Sequence, residues 1–162
     1  MTWNFIKPVL IFIPLAVLQL VIAPIISVMD TLPNFIIVLI VFYSLIYGQI
    51  FGTVLGFILG GLFDLISGSM LGAHMLSFTI SAFIAGYFFN LNKIDTNTST
   101  FAFVLIVFLC GALNSFLYSA VSISSPDISF IYLLVEEGIL PGIYTAIISI
   151  PVVIFNPRKD IQ

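Results

Sequence analysis

Few residues in this chain can do chemistry, and two groups of them stand out. Asp64 and His74 lie ten positions apart in GTVLGFILGGLFDLISGSMLGAH (residues 52–74) and offer a carboxylate and the chain's single imidazole. Such a pair can exchange a proton or form an ion pair near neutral pH. The adjacent carboxylates Glu136 and Glu137, in YLLVEEGILPGIY, form the second group. Asn114 adds a lone amide inside an apolar run, and a buried amide needs hydrogen-bond partners. The inventory also excludes. Serines are plentiful, but no recognisable nucleophile–base motif surrounds the only histidine, and neither a phosphate-cradling glycine loop nor a haem-attachment motif occurs. One histidine with no second ligand beside it makes no metal site. The expectation is a protein with no catalytic centre, cofactor or metal.

The background composition explains why these few residues matter. The chain has 162 residues, of which 61% are hydrophobic and only 7% charged, and its mean hydropathy is +1.29. A soluble domain averages about 25% charged residues, so this chain cannot build a soluble surface. Its length suits one membrane domain of several helices. A β-barrel would alternate apolar and polar residues along strands of about 10 residues. Runs such as FAFVLIVFLCGAL (residues 101–113) do not alternate, so the expected class is an all-α integral membrane protein. Four basic against seven acidic residues exclude the basic footprint of a nucleic-acid binder. The lone Cys110 cannot pair within the chain and reads as interior packing.

A span needs about 20 apolar residues, and six candidates follow: about 9–28, 34–47, 51–67, 71–89, 101–121 and 138–155. The first has one lysine ahead of a long apolar run with no small-residue cleavage site, as a retained helix would. Pro14 and Pro24 are positions for a kink in it. GQIFG (residues 48–52) reads as a tight turn between the second and third. With six spans and both termini cytoplasmic, the basic residues Lys7, Lys93, Arg158 and Lys159 all fall inside, as the positive-inside rule favours. Asp30, Asp64, Asp127, Glu136 and Glu137 then lie toward the outer side. A charge at mid-bilayer costs about 2.5–3.5 kcal/mol on insertion scales, so Glu136 and Glu137 are expected on a surface element of residues 128–137 that precedes the last span.

In lipid, helices associate through close backbone approach at small residues and through interhelical hydrogen bonds. The third segment carries Gly52, Gly56, Gly60 and Gly68 at helical spacing, and the fourth carries Ala73, Ser77, Ser81 and Ala85. The fifth gathers Gly111, Asn114, Ser115, Tyr118, Ser119 and Ser122 on one face, and the sixth adds Gly138, Gly142 and Ala146. These faces either pack a compact bundle or enclose a polar cavity between the third, fourth, fifth and sixth helices. Asp64 sits on the glycine face about three residues, or roughly 5 Å, from the end of its helix. Its expected partners are Ser67, Ser69, His74 and the backbone N–H groups that start the next helix. It serves there either as a cap, favourable by about 0.3–1 kcal/mol, or as a functional acid, the default reading for an acid inside a membrane.

The same stretch carries a family resemblance. GFILGGLFDLISGSMLGAHMLSFTISAFIAGYF (residues 56–88) resembles the signature region of MreD, the rod shape-determining membrane protein of bacteria. In that family a glycine-rich helix ends in Asp-Leu-x-Ser-Gly, then Leu-Gly, a His or Asn, and a small-residue helix. Asp64, Ser67, Gly68, Leu71, Gly72 and His74 stand at those positions. Pro33 and Asn34, in LPNFIIVLIVFYSLIYGQIFG, match a family Pro followed by Asp or Asn. The resemblance covers most of the chain. It implies a non-enzymatic component of the elongation machinery in the bacterial cytoplasmic membrane. Its implied partners are MreC, and with it MreB, RodA and RodA's transpeptidase partner, besides membrane lipid. The family also resembles in fold the six-helix substrate-binding (ECF-type) subunits of vitamin transporters, so a small-molecule-binding subunit is the alternative. The candidate structural or interaction residues of the chain are Gly52, Gly56, Gly60, Asp64, Ser67, Gly68, Gly72, His74, Asn114, Glu136 and Glu137.

Overall fold

The structure, a computed structural model, describes residues 2–27, 31–90, 98, 101–122 and 130–155. Among them the chain is helical and forms one bundle: α1 (Thr2–Val21), α2 (Phe35–Tyr47), α3 (Gln49–Ser67), α4 (Ala73–Gly86), α5 (Phe101–Ser122) and α6 (Phe130–Phe155). Among the described residues three helices, α3, α5 and α6, are long and apolar enough to cross a membrane. Lys93, Asp95, Arg158, Lys159 and Asp160 lie outside the described residues, as do Asp30 and Asp127.

The short α2 is the hub. Its run FIIVLIVFYSLIY has no polar face, and residues 36–41 and 43–45 are buried. A helix hydrophobic all round needs protein or lipid on every side. Here it gets protein: Phe12 and Ala16 of α1, Leu55 and Leu59 of α3, Phe78, Ala82 and Ala85 of α4, and Phe103, Ile106, Val107 and Cys110 of α5 form one cluster with it. The outward faces of the other helices carry residues such as Leu10, Ile13, Phe57, Leu65, Leu105 and Ile147, all more than two-fifths exposed. A chain of this composition presents such faces to hydrocarbon.

Four expectations change at the helix ends. α1 stops at Val21 rather than near residue 28, because residues 22–26 form a turn with a bond from Ile25 N–H to the Ile22 carbonyl. Pro24 is therefore beyond the helix, while Pro8 and Pro14 lie within it. The turn between α2 and α3 is Gly48 alone, at φ 92°, and α3 begins at Gln49. α4 is shorter than expected, starting at Ala73 after Gly72 at φ 97° and ending at Gly86. Finally, α6 is continuous through Glu136 and Glu137, so the described part of the expected surface element, residues 130–137, is helix continuous with the rest of α6. Its segment Val135–Ile139 is a π-helical turn, closed by a bond from Leu140 N–H to the Val135 carbonyl.

The glycine faces divide by partner. A Cβ on Gly56 would stand 2.7 Å from the Phe78 carbonyl oxygen, and one on Gly60 2.6 Å from that of His74, so these two bring α3 and α4 into backbone contact. A Cβ on Gly86 would run into the Gln49 backbone at the other end of the pair. One on Gly52 would instead meet Ser44 of α2, and one on Gly142 of α6 would meet Ala112 of α5. Gly68 belongs to no packing face. It is the left-handed C-cap of α3 at φ 66°, with open space where a Cβ would stand.

Candidate functional site: the Asp64–His74 corner and the polar cavity

The corner between α3 and α4 is built around Asp64, which is 1% exposed. The N-cap of α4 is Gly72, which has no side chain to cap it, and the first N–H groups of a helix have no partner within it. Asp64 supplies the missing acceptor from the preceding helix. Its Oδ2 accepts from the backbone N–H of Gly72 (2.9 Å) and Met75 (3.3 Å), and its Oδ1 from that of His74 (3.1 Å). Oδ1 also accepts from Ser69 Oγ at 3.0 Å and pairs with His74 Nδ1 at 2.7 Å. A carboxylate only accepts, so Nδ1 carries the proton of that bond. Ser67 does not reach the acid. Its hydroxyl lies 2.7 Å from the Phe63 carbonyl and 2.9 Å from Ser69 Oγ, steadying the serine that does.

His74 is held as tightly on its ring faces. Phe63 meets it edge-on at 4.8 Å between ring centres, Phe78 packs at 5.4 Å, and Tyr118 of α5 lies over it at 4.3 Å. Five donors saturate Asp64, and the imidazole is bonded to it and boxed by aromatics. The arrangement fits a helix cap and an inter-helix lock; the capping reading of Asp64 describes the observed contacts.

Tyr118 is also where the corner meets an open cavity of about 340 Å³. His74, Asn114, Ser115, Tyr118 and Ser119 line it, with Tyr132, Glu136 and Glu137 of α6 opposite. The expected polar cavity thus exists, with a different wall. α3 contributes no lining residue, and Gln19 of α1 with the 31–34 segment replaces it. Glu137 accepts from Ser119 Oγ at 2.8 Å. Asn114 is 2% exposed, and its Oδ1 has no hydrogen-bond partner. The π-helical turn offsets the helical register where the two glutamates sit, and such turns recur at functional positions.

Three polar residues missed in the sequence hold this end together. Gln19 donates from Nε2 to the Pro33 carbonyl at 2.8 Å and accepts from Phe35 N–H at Oε1, also 2.8 Å. Thr145 Oγ1 accepts from Asn34 N–H at 3.0 Å, tying α6 to the start of α2. The Tyr144 hydroxyl donates to the Ile26 carbonyl. Asn34 itself caps α2, its Oδ1 accepting from Ile36 and Ile37 N–H at 3.1 Å each. The signal for Gln19 was present: an amide in an apolar helix must find partners. Those of Thr145 and Tyr144 were not, because their partners lie more than a hundred residues away in sequence.

Of the expected interaction residues, the structure brings Asp64, Ser67 and His74 together with the left-handed Gly68 and Gly72 at one corner. Asn114, Glu136 and Glu137 stand around the adjoining cavity, which His74 also lines. Gly52, Gly56 and Gly60 lie away from both, inside helix contacts. Among the described residues no set of three side chains is placed to hold a metal ion. No curated protein and no solved structure matches the chain. A family model does match, that of the rod shape-determining protein MreD, over residues 2–157. With nearly the whole length covered, and the Asp64–His74 corner formed from the residues that carried the resemblance, this chain belongs to the MreD family.

Proposed function

We propose that this protein is a non-enzymatic scaffold of the bacterial cytoplasmic membrane, with six spans and both termini in the cytoplasm. In this reading it binds MreC and helps couple MreB filaments to peptidoglycan synthesis by RodA and its transpeptidase partner, so maintaining rod shape. The observation that carries it is the family match over residues 2–157. The corner geometry agrees. Asp64, the one buried acid among the described residues, is saturated by the backbone donors that start α4 together with Ser69 and the His74 ring, which suits an acid that holds a surface in shape rather than one that reacts. The glycine face of α3 is occupied by α4 at Gly56 and Gly60 and by α2 at Gly52, and so is no docking surface for a partner. Any partner helix meets the outward apolar faces or the cavity end. The test is affinity purification of the tagged chain from membranes that also contain MreC, together with rescue of cell shape in a strain lacking its own MreD. Retention of MreC and restored rods are expected. Folded protein that neither retains MreC nor restores shape would sink the reading.

The cavity favours a second reading, a small-molecule-binding subunit of a transporter, because about 340 Å³ walled by Asn114, Tyr118 and Tyr132 is the size of a ligand site. Uptake assays separate the two: a transporter subunit raises accumulation of a solute in the cell, and a scaffold does not.

A further inference from the structure

His74 is only 9% exposed, yet one of its ring nitrogens is unused. Nδ1 lies 2.7 Å from Asp64 Oδ1 and 3.2 Å from Ser69 Oγ. Nε2 has no hydrogen-bond partner among the described residues, and it keeps surface open to the cavity that His74 lines. The bond made by one ring nitrogen decides the state of the other. With the proton held on Nδ1 by a carboxylate, Nε2 of the neutral ring is a lone pair that can only accept. Phe63, Phe78 and Tyr118 pack around the ring and fix it, so the lone pair cannot turn back toward the chain. A buried acceptor held without a donor is a cost that a ligand removes.

The complementary groups come from α5. Tyr118 packs its ring on His74, and Asn114 and Ser115 stand one helical turn before it on the same face. The hydroxyls of Tyr118 and Ser115 have no hydrogen-bond partner among the described residues, and each both donates and accepts. Because Asn114 Oδ1 is sealed, the atom of that amide that meets the cavity is Nδ2, a donor. A cation has no acceptor for that N–H, and an anion has no donor for His74 Nε2. Neutral hydroxyl groups satisfy both.

We propose that His74 Nε2 anchors a neutral polyhydroxylated ligand in this cavity, a sugar or polyol that is free or forms the headgroup of a lipid. One hydroxyl donates to Nε2, and others pair with Tyr118, Ser115 and the Asn114 amide. Glu136 and Glu137 beside the site repel phosphate and carboxylate groups. The site stands apart from the MreC reading, whose failure shows in purification and cell shape and not in ligand binding.

The chain holds a single histidine, so isotope-labelled histidine reports on this ring alone. The full chain, carrying an affinity tag free of histidine, is placed in phosphatidylcholine nanodiscs. Heteronuclear NMR at neutral pH is expected to show Nδ1 protonated and Nε2 bare. A proton on Nε2, alone or together with Nδ1, overturns the proposal before any ligand is added. Glycerol, myo-inositol and glucose are then titrated, with penta-O-methylglucose and butylamine as controls that lack hydroxyls. At least one polyol is expected to move the Nε2 resonance saturably, and neither control to do so. Tyr118→Phe keeps a ring over His74 and should weaken that binding about threefold or more, as loss of one hydrogen bond does. Discs containing a glucosyl diacylglycerol identify the source. A lipid-borne sugar shifts Nε2 before any titrant is added and blocks the free polyols, whereas a free ligand binds as before. On wild type alone, an Nε2 that responds to no polyol and no glycolipid, or responds equally to either control, overturns the proposal. So does polyol binding that Tyr118→Phe leaves unchanged.

Discussion

Asp64 grips His74 twice, through the backbone N–H at 3.1 Å and the ring Nδ1 at 2.7 Å, so one carboxylate sets both the start of α4 and the orientation of its second residue. Removing it strands the buried donors of Gly72, His74 and Met75 together with the imidazole. Asp64→Ala is expected to cost about 3 kcal/mol, within the range for buried groups left unpaired. Asp64→Asn, which keeps one acceptor oxygen, should lose less. Unfolding by SDS in mixed micelles, followed by circular dichroism, gives the order; equal stability of Asp64→Ala and wild type would contradict the cap.

The glycines of α3 should respond by contact and not by rank in the sequence. Gly60→Ala pushes a Cβ against the His74 carbonyl and Met75 Cα, both backbone, and is expected to cost about 1–3 kcal/mol, as overpacking does. At neighbouring Gly61 a Cβ meets only the Met75 side chain at 3.3 Å, so Gly61→Ala should be close to neutral. Gly68→Ala has space but a left-handed backbone, and should cost about 1 kcal/mol. The same unfolding assay reads all three.

Asn34 makes two bonds of 3.1 Å to the first N–H groups of α2, the helix around which the core forms. Asn34→Ala should cost about 0.5–2 kcal/mol, and Asn34→Asp little, since aspartate caps equally well. Combining Asn34→Ala with Gln19→Leu should give a non-additive loss, because both hold the same turn. An additive result would separate them.

Topology has a direct readout. Cys110 is fully buried and should resist maleimide in folded protein. In a Cys110→Ala background, Glu136→Cys at the exposed cavity rim is expected to react with a membrane-impermeant maleimide applied to intact cells, while Thr2→Cys reacts only after lysis. The reverse pattern would invert the proposed orientation.

Much of the α3–α4 corner was legible because its parts are local. An acid ending a glycine-rich helix, followed within eleven residues by a helix that lacks its own capping side chain, has few places to go. The small faces of α4 and α5 followed in the same way, with Ala73, Ser77, Ser81, Ala85, Gly111, Asn114 and Ser119 all buried. The N-terminal part of α6 was not legible. A rule that keeps charges out of apolar helices placed Glu136 and Glu137 ahead of the span. In the fold they lie on the π-helical turn of α6 beside the cavity, with Glu136 exposed at its rim and Glu137 half-buried against Ser119. Gly52 misled for a similar reason: spacing put it on the same stripe as Gly56 and Gly60, yet its neighbour is Ser44 of α2. Periodicity reports which residues share a face, and long-range packing decides what that face meets.

The backbone contacts at Gly56, Gly60 and Gly86 leave α3 and α4 no slack along most of their shared length. They form one stiff paddle, and any rearrangement on engaging a partner has to happen at its borders. Gly48 provides one border, a single left-handed residue joining the paddle to the central α2. Another is the tilted ring pair of His74 and Tyr118, where the paddle touches α5 beside the cavity. A tilt of the paddle would reshape that pocket, so occupancy on one side and posture on the other are mechanically joined through two rings.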